Sequence, residues 1–116
     1  MENEKFKELA DGWKAATEQV LSDEVIDRKV LSNLFQETYL LIKEYSTEKM
    51  IPRELYQVLW EMNDFHWWVI QSEETPIHFL CLDITSLVIE FNYFVVRGWT
   101  NELDIRYLIT KIEGEI

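Results

Sequence analysis

The sequence predicts an all-α fold, a single-domain bundle of four to five helices spanning residues 1–116. Three observations predict it. Apolar residues recur at alternating steps of three and four through every segment, the spacing of one helix face. Only three Gly and two Pro punctuate the chain, too few turn residues for a sheet protein of this length. With 116 residues, 47% of them apolar, the chain can bury a core without disulfides or metal.

The first helix is expected from about Glu2 to Leu21, with Phe6, Leu9, Trp13, Ala16 and Val20 on one face and Gly12 as a weak point. Ser22 or Asp23 is the expected cap of a second helix, ending near residues 45–47. Its face carries Ile26, Val30, Leu34, Leu41 and Tyr45, widened by Leu31, Phe35 and Ile42. Pro52 suits the first turn of a third helix, where its missing N–H costs nothing. Leu55, Leu59, Met62, His66 and Val69 form its core stripe, and Glu73-Glu74-Thr75-Pro76 breaks it.

A fourth helix follows, with Ile77, Leu80, Ile84, Leu87, Val88, Phe91 and Val95 inward and Arg97-Gly98 as its C-terminal cap. Thr100 is the expected cap of a short fifth helix carrying Ile105, Leu108, Ile109 and Ile112. The fourth helix has a competitor. Its residues are β-branched and aromatic, and Leu87, Ile89, Phe91, Tyr93 and Val95 alternate, so an α+β fold with strands in 77–97 is the alternative. Asp83, Ser86, Glu90 and Arg97 fall on a single helical stripe, and no hairpin turn lies inside the run, which favours helix.

No enzymatic apparatus is expected. No two glycines are close enough for a phosphate-cradling loop or a nucleophile elbow, and there is no Cys pair for zinc. Neither His66 nor His78 has Glu three residues before it, as a di-iron bundle requires. The sequence therefore implies no catalytic residue, cofactor or metal. An enzyme or small-ligand binder would need scattered residues meeting in a deep pocket. His66, in the middle of an apolar stripe, reads as a buried histidine bonded to a neighbouring helix, and Cys81 as a small hydrophobe.

The charge balance narrows the partners. Eleven basic against 22 acidic residues leave a net charge of -11, which repels phosphate backbones and anionic membranes. Nucleic acid and membrane are excluded as expected partners. The apolar run from Ile77 to Val96 contains Asp83 and Glu90, and each acid at the centre of a spanning helix costs about 2.5–3.5 kcal/mol. One cysteine and an N-terminal stretch without signal-peptide character point to the cytoplasm.

One segment stands out. Between Arg53 and Arg97 there is no Lys or Arg, while Glu54, Glu61, Asp64, Glu73, Glu74, Asp83 and Glu90 lie there. The same span holds Tyr56, Trp60, Trp67 and Trp68. Rings interleaved with acids suit a protein-binding surface: rings supply rigid buried area and acids steer a basic partner. The expected partner-binding residues are Tyr56, Trp60, Glu61, Asp64, Trp67, Trp68, Asp83 and Glu90. The competing expectation is that another helix covers these rings, since Trp is usually largely buried. The expected function is a non-enzymatic acidic protein-binding module, in its most concrete form a bacterial immunity-type inhibitor that neutralises a basic toxin or nuclease stoichiometrically. The alternative is an adaptor, regulatory or self-assembling bundle, whose surplus apolar surface is buried in a homodimer.

Overall fold

A computed structural model describes residues 2–72 and 76–114, and among them there are five α-helices and no strand. The helices are α1 (Glu2–Leu21), α2 (Arg28–Glu44), α3 (Arg53–Gln71), α4 (Cys81–Arg97) and α5 (Glu102–Glu113), with a 3-10 turn over His78–Leu80 leading into α4. The strand alternative for 77–97 is therefore not what the chain adopts. Of the break expected at 73–76, residues 73–75 lie outside the described residues; α3 ends just before them, at Gln71.

Two caps differ from expectation. Ser22 and Asp23 close α1 instead of opening α2, and Asp23 takes a left-handed φ of 56° that short polar side chains tolerate. The cap of α2 is Asp27, whose carboxylate accepts from the backbone N–H of Lys29 at 2.8 Å and Val30 at 3.4 Å. Ile26 before it and Leu31 beyond it are both buried, at the positions of a hydrophobic staple. The cap of α5 is Asn101, not Thr100; its side-chain oxygen accepts from Leu103 N and Asp104 N. Gly98 closes α4 at φ 75°, where a side chain would be strained and a Cβ would meet Ser46 O at 3.3 Å. Gly12 is also explained: a Cβ there would stand 2.6 Å from Leu34 Cδ2, so the missing side chain lets α1 and α2 approach closely.

The helices form a ring in the order α1, α3, α4, α2, and α5 lies in the outer seam between α2 and α4. The core is a run of rings that reaches all four ring helices. Trp13 of α1 is fully buried and packs against Phe35 of α2 at 4.9 Å and Phe65 of α3 at 5.3 Å. Its Nε1–H donates to Thr38 Oγ1 at 3.1 Å, so the indole is satisfied as well as buried. Phe35 continues to Phe91 of α4 at 5.9 Å, and Tyr39 stacks on Phe91 at 6.1 Å. Val58 and Phe65, outside the expected stripe of α3, are fully buried, and Val30 of α2 is turned to solvent. No described side-chain N or O is buried without a partner.

Polar ties hold α5 in place. Arg28 donates from Nε to Ile112 O at 2.7 Å and from Nη2 to Lys111 O at 2.8 Å, satisfying carbonyls at the end of α5. Its guanidinium also lies 5.2 Å over the Phe79 ring. At the other end, Glu102 accepts from Lys43 at 3.1 Å, from Arg106 at 3.2 Å and from the Tyr39 hydroxyl. The hydrogen bonds from Lys43 and Tyr39 hold the Glu102 carboxyl below its usual range. Burial, and then donation to Glu102, push the Tyr39 phenol up to about 12. An unfolded tyrosine ionises near about 10, so the stability this group contributes is complete below about pH 10 and is lost as pH rises towards 12. Alkaline denaturation followed by circular dichroism should show a shallower loss in that window for Tyr39→Phe than for the wild type.

Candidate functional site

The helices turn the expected patch residues in three directions. On α3, at about 100° per residue, Asn63 and His66 mark one flank and Phe65 the other. Asn63 and Asn92 of α4 exchange two side-chain hydrogen bonds, at 2.9 and 3.3 Å, and His66 Nε2 lies 2.8 Å from Thr85 Oγ1. That flank faces α4. Phe65, against Trp13, faces α1. Tyr56, Trp60 and Trp67 fall on the outer α4 side and are exposed. Glu61 and Trp68 fall towards α1, where Trp68 is half-buried against the core, and Asp64 stands at the outer rim. The structure thus separates Trp68 from the other three rings.

Asp83 and Glu90 go elsewhere again. Both sit on the flank of α4 that faces α5. Asp83 Oδ1 is paired with Lys111 Nζ at 3.3 Å, and Glu90 Oε2 accepts from the Thr100 hydroxyl at 2.8 Å. The acids that had no basic neighbour in sequence acquire partners in space. They do not join Trp60 in one acidic, aromatic patch.

What α3 and α4 share on their outer side is apolar. Tyr56, Trp60, Trp67 and Ile70 repeat along α3 at steps of three, four and seven, with Asn63 between them. Leu82, Ile89, Tyr93 and Val96 repeat likewise along α4, also exposed. Trp60 is 71% exposed, and Leu82 and Val96 are each 82% exposed. Tyr56, Leu59, Trp60, Val95 and Val96 line a groove of about 950 Å³ between the two helices, with the Asn63–Asn92 pair among its walls. Arg53 and Glu54 line one end of it, and Arg97, next to Val96, lies 5.2 Å over the Tyr93 ring. Contiguous exposed apolar faces are uncommon on monomers and in general belong to protein–protein or membrane contacts.

The stripe on α4 was legible in part: Leu82, Ile89 and Val96 follow the same spacing as its core residues. Two apolar stripes on one helix merge into general hydrophobicity, which hides the outer one. The same fact makes His78–Arg97 long and apolar enough to cross a membrane, with mean hydropathy 1.7. Only 33% of that stretch is buried in the bundle.

His66 is half-buried in the α3–α4 seam, and burial lowers its pKa, so the fold holds it neutral. An unfolded histidine takes up its proton near about pH 6.5. Stability is therefore unaffected by His66 above about pH 6.5 and falls as pH drops below it, until the folded imidazole protonates too. Melting temperatures at about pH 7.5 and about pH 5.5 should differ less in His66→Gln than in the wild type. An unchanged difference would remove His66 as its cause.

No three His, Cys, Asp or Glu side chains converge as metal ligands among the described residues. Cys81 is a free thiol, half-buried against the core. No family model matches the chain, and neither a curated protein nor a solved structure shows significant similarity to it.

Proposed function

We propose that this protein works by binding and not by chemistry, as a docking module for a basic protein partner seated on the outer face of α3 and α4. Trp60 carries the reading. A tryptophan 71% exposed, in line with Tyr56 and Trp67 and facing Val96 across a groove, is a ring that the fold does not use. Exposed aromatic anchors of this kind supply most of the energy in protein interfaces. The net charge of -11 supports a basic partner, since it raises encounter rates with positive proteins from every direction. The favoured form is an immunity-type inhibitor that neutralises a basic toxin one-to-one in the cytoplasm. An adaptor would use the same face and leave its partner active.

A photo-crosslinking residue placed at position 60 in cells tests this. One basic protein should be captured there, and none from position 103 on α5, where Leu103 is equally open to solvent. Equal capture at both positions, or capture of acidic proteins alone, would sink the reading. Titrating the captured partner with purified protein then separates inhibitor from adaptor: activity should vanish at equivalence.

A further inference from the structure

We infer that, when no other partner is present, the outer face of α3 and α4 is covered by the same face of a second copy, in a twofold dimer that keeps the face closed. The inference rests on the docking reading and adds its regulation. Area is the first argument. The eight exposed apolar side chains of the face offer on the order of 800–1,000 Å², taking a fully exposed aromatic at about 150–250 Å² and an aliphatic at somewhat less. A stable interface takes about 800 Å² from each partner, whereas the largest apolar patch on a typical monomer is about 300–600 Å².

Self-complementarity is the second argument. None of the eight stripe residues carries a carboxylate, and Asp83 and Glu90 are turned to Lys111 and Thr100. The acid that lines the groove, Glu54, stands at the same end as Arg53, so a pairing that lays this end over the far end of the other copy keeps the two Glu54 side chains apart. In α3 and α4, which run antiparallel, the Asn63–Asn92 pair lies near mid-face. A twofold axis through that point lays the Trp60–Val96 end of one copy over the Trp67–Leu82 end of the other, the isologous arrangement. The two amides already bond each other, so closing the groove strands neither. Finally, α4 carries two apolar stripes, one in the core and one from Leu82 to Val96, with Asp83 and Glu90 confined to a separate flank, so the outer stripe is apolar surface that the bundle leaves uncovered.

Charge sets the behaviour of such a pair. Each copy carries -11, so the copies repel at a distance, and salt strengthens the dimer by shortening the Debye length from about 10 Å at 0.1 M to about 3 Å at 1 M. A complex with a basic partner has the opposite salt dependence, so low salt favours exchange of the second copy for that partner.

Sedimentation equilibrium of the full chain is the test. The wild type should be a dimer whose dissociation constant falls several-fold between low and high salt. Trp60→Glu and Val96→Glu should each weaken it at least a hundredfold with unchanged far-UV circular dichroism, while Leu103→Glu on α5 leaves it intact. A monomer at every concentration, or a dimer indifferent to both face variants, overturns the inference. The two readings fail separately. A monomer whose position 60 still captures a basic protein keeps the docking face and loses the dimer. A face-dependent dimer that captures only itself keeps the dimer and loses the basic partner.

Discussion

Trp13→Ala should cost about 3–5 kcal/mol of stability, the range for removing a fully buried large aromatic. The ring is where three helices converge: α1 supplies it, Phe35 of α2 lies 4.9 Å away and Phe65 of α3 5.3 Å. Its loss also leaves the Thr38 hydroxyl, itself fully buried, without the indole donor 3.1 Å away. A domain of this size has a total stability on the order of 5–15 kcal/mol, so the variant stands near the folding threshold. The melting temperature, followed by far-UV circular dichroism, should fall by on the order of 10–25 °C. Trp13→Phe keeps the ring contacts and loses only the indole donor and some volume, so its drop should be about half as large or less. A fall of only a few degrees for Trp13→Ala would mean that the core is organised elsewhere.

Trp60→Ala should do the reverse, sparing the fold and removing the binding. In the monomer nothing covers most of this ring, so stability measured at concentrations below the dimer's dissociation constant should change by no more than about 0.5 kcal/mol. Truncating an aromatic at an interface centre costs about 2 kcal/mol or more, which is roughly thirtyfold in affinity. Most of that loss should appear as faster dissociation. Trp68→Ala supplies the contrast. Its ring is half-buried against the core, so stability should fall by about 1–3 kcal/mol while the surviving folded protein binds as before. Changing Glu61 and Asp64 together to Lys should mainly slow association, with an effect that shrinks as salt rises. Surface plasmon resonance against the captured partner, beside thermal melts of each variant, reads all three. Were Trp60→Ala to melt early while Trp68→Ala did not, the assignment of the face would be reversed.

The contrast between these two tryptophans also measures what the sequence carries. Spacing within a helix reveals which residues share a face. The buried row of α1 from Phe6 to Val20 and the left-handed Gly98 were legible for that reason, since both depend on nearby residues. Spacing does not reveal which neighbour lies against each flank. Trp68 and Trp60 were both legible as lying off the core stripe of α3; only the ring order, with α1 on one side and α4 on the other, buries one and leaves the other open. Asp83 and Glu90 illustrate the same limit, because Lys111 reaches Asp83 only once α5 has docked, and Thr100 reaches Glu90 only once the chain turns back after α4. The cap of α2 was missed for a local reason. Ser22 and Asp23 are good cap residues that serve the end of α1, and Asp27, four residues further on, takes the role assigned to them.

Arg28 has a consequence for the order in which the molecule assembles. Its contacts with the end of α5 join residues 84 positions apart, so the clasp cannot close on a growing chain until nearly all of the bundle has been synthesised. Until then the side of α2 and α4 that α5 covers, including Phe94 and Tyr39, stays open to water. A ribosome-bound chain halted after α4 should thus carry two sticky surfaces, one temporary and one lasting. Chaperone binding that disappears once residue 112 emerges would belong to the temporary one.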